Sequence, residues 1–138
     1  MASELKVDKF TGVTTAGSID VTGEGNSTTT NLQQGLAKVW VNYDLYGTSA
    51  YRVSFNASSL TDNGTGDGTT TFSNNFNSAD YSVSGMAGRQ GASADPFLRF
   101  NDNTTAPTSS TVRLICSGDN GTEYDVDRNS ASAHGDLA

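Results

Sequence analysis

The side chains that could perform catalysis are few and scattered along the sequence. His134 is the only histidine, and it lies in the polar segment near the C-terminus. This position argues against a nucleophile–histidine–acid arrangement, which needs a firmly held imidazole. Fifteen Asp and Glu residues could supply a carboxylate pair for glycoside hydrolysis. Most of them accompany turn residues, where Asp bonds to nearby backbone. The sequence predicts a protein that is not an enzyme, with a small polysaccharide-degrading enzyme as the alternative.

Two acidic runs have the oxygen-rich chemistry that calcium prefers. They span residues 62–67 and residues 119–127. Neither run has the spacing of the twelve-residue calcium loop between two helices, and turn formation explains the same residues. We therefore predict no metal and no cofactor.

Cys116 is the only cysteine, so an intrachain disulfide is excluded. It ends the apolar run 112–116. A free thiol in such a run usually behaves as a small buried apolar group, and we predict no reactive or metal-binding role for it.

Three aromatic residues form the candidate binding site. Trp40, Tyr43 and Tyr46 lie close together in an apolar stretch. Trp40 alternates with Lys38 and Asn42 on what is predicted to be the polar face of a strand. An exposed indole there could stack on a sugar or anchor a protein interface. The alternative is that Trp40 packs beneath a loop or against a second sheet.

The net charge and the hydropathy of the sequence exclude some classes of binding partner. The net charge is −7, and the eight Lys and Arg residues are scattered singly, so we predict no nucleic-acid binding. The opening MASELKVDKF lacks the apolar core of a signal peptide. No segment approaches the ~20 apolar residues that span a bilayer. We expect synthesis in the cytoplasm and no membrane insertion.

The alternation of apolar and polar residues predicts an all-β fold. Residues 37–43 and 51–55 alternate with a clean period of two and are predicted to pair as a hairpin. Further short strands are predicted at residues 5–10, 19–21, 69–73, 81–86, 97–100, 112–116 and 124–128. Gly, Asn and Asp turns separate them, as at residues 62–68, whose glycines can adopt positive φ. Seven to nine short strands indicate an antiparallel β-sandwich or a small jelly-roll-like barrel.

Composition divides the chain into three parts. Residues 1–35 are interpreted as an extended N-terminal arm with short strands, in which residues 23–34 form a polar linker. Residues 36–128 form the β-sandwich knob. Residues 129–138 are nearly free of large apolar side chains and are predicted to be a polar C-terminal tail that could reach a neighbour.

The central part of the chain resembles a known module. Three segments resemble the fibre-tip or knob-like surface module of marine tailed bacteriophages. They are GLAKVWVNYD (35–44), SFNASSLTDNGTGDGTTTF (54–72) and NSADYSVSGMAG (77–88). That module belongs to cyanophage-type tail-fibre and head-decoration proteins. The resemblance implies a location in the virion, partners among capsid or tail proteins and, as for fibre tips, a homotrimer. Such chains usually finish in an apolar strand, which polar residues replace here.

The resemblance and the length lead to two functional hypotheses. A tail fibre needs a long shaft, for which 138 residues leave no room. The first hypothesis is a non-enzymatic virion structural protein, a short knob or capsid decoration expected on the head. The alternative is a tail-fibre or tail accessory subunit that acts as a host receptor- or glycan-binding tip. Loops rich in Asn, Ser, Tyr and Gly suit such adaptable recognition.

Overall fold

The computed structural model describes residues 4–13, 19–23, 25, 28–88, 95–101 and 105–137. Contacts divide the chain into two units, Met1–Leu36 and Ala37–Ala138. The described residues are nearly all β, and every strand pairing is antiparallel. The all-β prediction is confirmed, and the sheets are open rather than closed into a barrel.

The first unit contains a small hairpin and one helical turn. Strands β1 (Asp20–Thr22) and β2 (Thr29–Asn31) pair with Val21 opposite Thr30. Helix α1 (Leu32–Gly35) follows at once, and the Asn31 side chain caps it by accepting a hydrogen bond from the Gln34 amide at 3.0 Å. The expected linker at 23–34 thus includes a strand and a helical turn.

The expected strand at residues 5–10 is absent from the described segment 4–13. Leu5, Val7 and Phe10 are all exposed, so no second apolar surface covers this stretch. Alternation alone does not make a strand, because a single strand leaves its backbone groups without partners.

The second unit is a sandwich of two four-stranded sheets. Its strands are β3 (Val39–Asp44), β4 (Ala50–Phe55), β5 (Ala57–Gly64), β6 (Asp67–Phe72), β7 (Ser82–Ala87), β8 (Phe97–Phe100), β9 (Thr111–Ser117) and β10 (Asn129–His134). The first sheet has the order β4-β3-β10-β7 and the second has the order β5-β6-β9-β8. The predicted β3–β4 hairpin is confirmed, with Trp40 opposite Phe55.

The core lies between the inner faces of these sheets. Val39, Val41 and Tyr43 of β3 are buried together with Val112 and Leu114 of β9, which belong to the other sheet. Alternate residues of each strand point to the same face, so the predicted inner face of β3 is confirmed.

An aromatic group completes the core. Phe76 stacks on Tyr81 with ring centroids 4.4 Å apart, and the edge of Phe72 meets both rings. Gly135 allows this packing, since a Cβ there would lie 2.9 Å from the Tyr81 Cβ. The Tyr81 hydroxyl donates to the Thr111 carbonyl at 2.9 Å.

The turn between β5 and β6 is tighter than predicted. The strands extend to Gly64 and resume at Asp67, so only Thr65 and Gly66 lie between them, and not the whole segment 62–68. The predicted positive φ is found at Gly64 (136°) and Gly66 (71°). A Cβ on Gly66 would lie 2.6 Å from the Cys116 carbonyl oxygen, so this turn packs directly on the end of β9.

The predicted polar tail at 129–138 is wrong for residues 129–134. These residues form β10, which lies between β3 and β7 in the middle of the first sheet. Small side chains make this possible: Ala133 faces the core, and fully buried Asn129 donates to the Val126 carbonyl at 3.2 Å. The polar residues Ser130 and Ser132 point to the opposite face.

The predicted strand at 124–128 is also wrong. This segment is irregular, although Val126 is completely buried. Its backbone hydrogen bonds include those from the Leu45 amide to the Val126 carbonyl, from the Gly88 amide to the Arg128 carbonyl and from the Tyr124 amide to the Cys116 carbonyl. It therefore connects β9 to β10 without joining either sheet.

Candidate functional site

The structure separates the three predicted aromatic residues. Tyr43 is only 1% exposed and lies in the core, so the prediction of a surface role for it is wrong. Burial raises the pKa of its phenol well above the usual range. Tyr46 is exposed beyond the end of β3, where its backbone amide donates to the Asp44 carboxylate at 2.9 Å.

Trp40 lies on the solvent side of the first sheet and is 40% exposed. It stacks against Phe55 of the neighbouring strand, with ring centroids 6.2 Å apart and an angle of 16° between the planes. The alternative placement, beneath a loop or against the second sheet, is wrong. The residues on this solvent side form what we call the outer face.

The strand register arranges the outer face in two rows. Each row crosses the sheet from β4 through β3 and β10 to β7. The first row contains Phe55, Trp40, Ser132 and Ser84, and the second contains Val53, Asn42, Ser130 and Met86. The β4 side of the outer face is therefore aromatic and aliphatic, and its centre carries hydroxyl and amide groups.

Short hydrogen bonds link the polar groups of each row. The Asn42 side-chain amide donates to the Ser130 hydroxyl at 2.9 Å. The hydroxyls of Ser84 and Ser132 lie 3.3 Å apart. The Asn42 Oδ1 atom is buried and has no hydrogen-bond partner among the described residues. Ser130 accepts from Asn42, so its own hydroxyl proton is available to an acceptor above the sheet.

A shallow open trough of about 480 Å³ runs across these rows. Trp40 and the strongly exposed Met86 lie at its sides, and Asn42, Ser130 and Ser132 line its floor. None of the described residues that line it is charged. The trough therefore offers apolar contact at its sides and uncharged hydrogen-bonding groups beneath.

The acidic side chains considered for calcium make other interactions. Asp67 forms a two-pronged ion pair with Arg113, at 2.8 and 2.6 Å, and this hydrogen bonding raises the pKa of the guanidinium. Asp125 accepts from the Gly66 amide at 2.7 Å, and Asp127 lies beside Arg52. Within the described ranges, no three His, Cys, Asp or Glu side chains form a group that could hold a metal.

Cys116 is fully buried at the end of β9. Burial, together with the negative charge of Asp125, raises the pKa of its thiol to about 11. A protonated, inaccessible thiol is a poor nucleophile and a poor metal ligand.

No protein-family model, curated protein or solved structure matches the chain. In the part of the chain that the structure describes, no helix is long and apolar enough to cross a membrane.

Sequence reasoning found Trp40 but missed most of the trough. Ser130, Ser132 and Ser84 are small and polar, so they were assigned to a tail or treated as the polar side of a strand. The useful signal was the alternation of Ser130 and Ser132 with Ala131 and Ala133, which has the strand period without bulky side chains.

Proposed function

We propose that the chain is a non-enzymatic structural protein of a phage virion, a short knob or decoration subunit on the surface of the head. The main support is the position in the fold of the three segments that resemble the phage module. They cover β3, the β5–β6 hairpin and β7, which belong to both sheets of one sandwich. The resemblance therefore concerns a connected folded module and not a short local motif.

The proposed attachment arm is supported by the exposed apolar side chains of the first unit. Leu5, Val7 and Phe10 are exposed, and so is Val21 of β1. Exposed apolar side chains are stabilised when a partner surface covers them. Residues 1–35 would bind another virion protein through these side chains, and residues 36–137 would project from the particle. A homotrimer is the proposed assembly state, by resemblance to fibre tips.

Co-sedimentation with purified particles tests the attachment. We expect the full chain to sediment with particles that lack it and a chain without residues 1–35 to remain in the supernatant. A triple variant, Leu5→Ser, Val7→Ser and Phe10→Ser, should also lose binding because the apolar contacts are removed. Met86→Ser is the matched control, since Met86 is an exposed apolar residue of the second unit. Continued sedimentation of the truncated chain would contradict the arm assignment.

The outer face favours a second candidate function, that of a host receptor- or glycan-binding tip on a tail fibre or tail accessory subunit. The specific observation is the exposed Trp40–Phe55 pair beside a polar floor. Aromatic side chains are common anchors of recognition surfaces. A decoration subunit can also adhere to cells, so the two functions are compatible.

A further inference from the structure

We propose that the trough between Trp40 and Met86 binds a neutral saccharide, with the Trp40 indole as the stacking surface and the floor hydroxyls as hydrogen-bonding partners. The inference rests on the second candidate function and specifies its ligand class. It depends on three observations: the aromatic side, the polar floor and the absence of charge.

The aromatic side suits the apolar face of a sugar ring. The indole of Trp40 is partly exposed, and Phe55 supports it in a nearly parallel orientation. A flat indole at a polar boundary offers apolar contact without a large loss of side-chain entropy. The C–H groups on one face of a pyranose can pack on such a surface while its hydroxyls point elsewhere.

The floor offers hydrogen-bonding groups where those hydroxyls would lie. Trp40 and Met86 are separated by two strand spacings and one row, which corresponds to about 12 Å. The floor between them carries Asn42, Ser130 and Ser132, with Ser84 at the edge. The volume of about 480 Å³ falls within the range of small-ligand sites. This is room for a mono- or disaccharide.

The uncharged lining of the trough favours a neutral ligand. None of the described lining residues is charged, so an acidic sugar would find no cationic side chain in this lining. The net charge of −7 also repels anions. An apolar protein partner would bury the floor hydroxyls without satisfying them, which costs free energy.

The experiment is a titration of the full chain with named sugars. Trp40 is the only tryptophan, so its indole N–H gives a single NMR resonance that reports on the trough alone. The neutral probes are lactose, maltose, cellobiose and mannobiose, and the acidic probe is digalacturonic acid. We expect at least one neutral probe to shift this resonance saturably at millimolar concentration and the acidic probe to leave it unchanged.

Variants separate the two halves of the site. Trp40→Ala should weaken binding at least about tenfold, read from the Ser130 and Ser132 amide resonances. Ser132→Ala should weaken it by about two- to tenfold, as expected for one lost hydrogen bond. Phe97→Ala is the control, because Phe97 is also an exposed aromatic residue but belongs to β8 of the other sheet. Its affinity should be unchanged.

Three results would overturn the inference. They are no indole shift with any neutral sugar, equal binding by Trp40→Ala, and shifts that depend on protein concentration alone, which indicate self-association. Co-sedimentation distinguishes this failure from that of the virion role. A chain that binds particles but no sugar rejects the saccharide site, and a chain that binds sugar but no particles rejects the virion assignment.

Discussion

At the scale of single residues, Gly66 shows how closely the β5–β6 turn packs on its neighbours. Its φ is 71°, and a Cβ would lie 2.6 Å from the Cys116 carbonyl oxygen and 2.8 Å from the Tyr124 amide nitrogen. We expect Gly66→Ala to lower the free energy of unfolding by about 3 kcal/mol or more, because conformational strain and overlap add together.

Gly121→Ala is the matched control for that substitution. Gly121 has a similar φ of 78°, but among the described residues no heavy atom beyond its chain neighbours lies within 4 Å of its would-be Cβ. It should cost only about 1 kcal/mol, the conformational part alone. Urea denaturation of both variants measures the difference, and equal losses would show that the close approach at Gly66 is not important.

The buried Cys116 thiol should make the free energy of unfolding decrease at alkaline pH. The pKa of its thiol is raised from 9.0 to about 11, and burial also raises the pKa of Tyr81 from 10.0 to about 12. Both groups are neutral when protonated, and the folded state holds the proton more tightly. Their contribution is fully present below about pH 9 and is lost as pH rises through 11 and 12. Cys116 alone accounts for on the order of 2 kcal/mol.

Unfolding free energies measured between pH 7 and 12 test this prediction. Stability should begin to fall near pH 9 in the natural chain. Cys116→Ala should be less stable at pH 7 because of its cavity, but its decline should begin nearer pH 10, where tyrosine titration starts. Parallel pH profiles would show that the thiol does not contribute.

At the scale of elements, β10 is the strand on which the first sheet depends. It pairs with β3 on one side and with β7 on the other, so its loss would expose the backbone of both. A chain that ends at Arg128 should not fold cooperatively, whereas a chain without residues 1–36 should keep the sandwich. Circular dichroism and amide NMR dispersion would show this. A folded chain without residues 129–138 would contradict the central position of β10.

Alternation predicted the strands that carry bulky apolar residues. The inward face of β3 follows directly from the spacing of Val39, Val41 and Tyr43. The same parity places Tyr43 opposite to Trp40, which already argued against one site containing both. Trp40 and Tyr43 are close in sequence, but they lie on opposite faces of β3.

Strand β10 could not be recognised from apolar side chains, because its inward positions hold Asn129, Ala131 and Ala133. Small inward residues suffice here because larger side chains of the neighbouring strands fill the core. Only the tertiary structure shows how much room those side chains leave beside β10. The trough was missed for the same reason, since two of its three floor residues, Ser130 and Ser132, belong to β10. Trp40 was identified because a large side chain on the polar side of a strand is unusual.

At the scale of the whole molecule, the two units have different surfaces, and we propose different roles for them. The first unit presents exposed apolar side chains, and the second is a sandwich whose outer face carries Trp40 and the trough. The excess of negative charge would keep many copies on one particle soluble and separate. These two features add support to the proposed virion role, whose main support is the resemblance.

Imaging of intact particles tests that role most directly. Cryo-electron microscopy would compare phage particles assembled with the chain and phage particles assembled without it. We predict additional density on the outer surface of the head, in which the sandwich projects with its outer face accessible. Identical density in the two kinds of particle, together with absence of the chain from purified particles, would contradict the account.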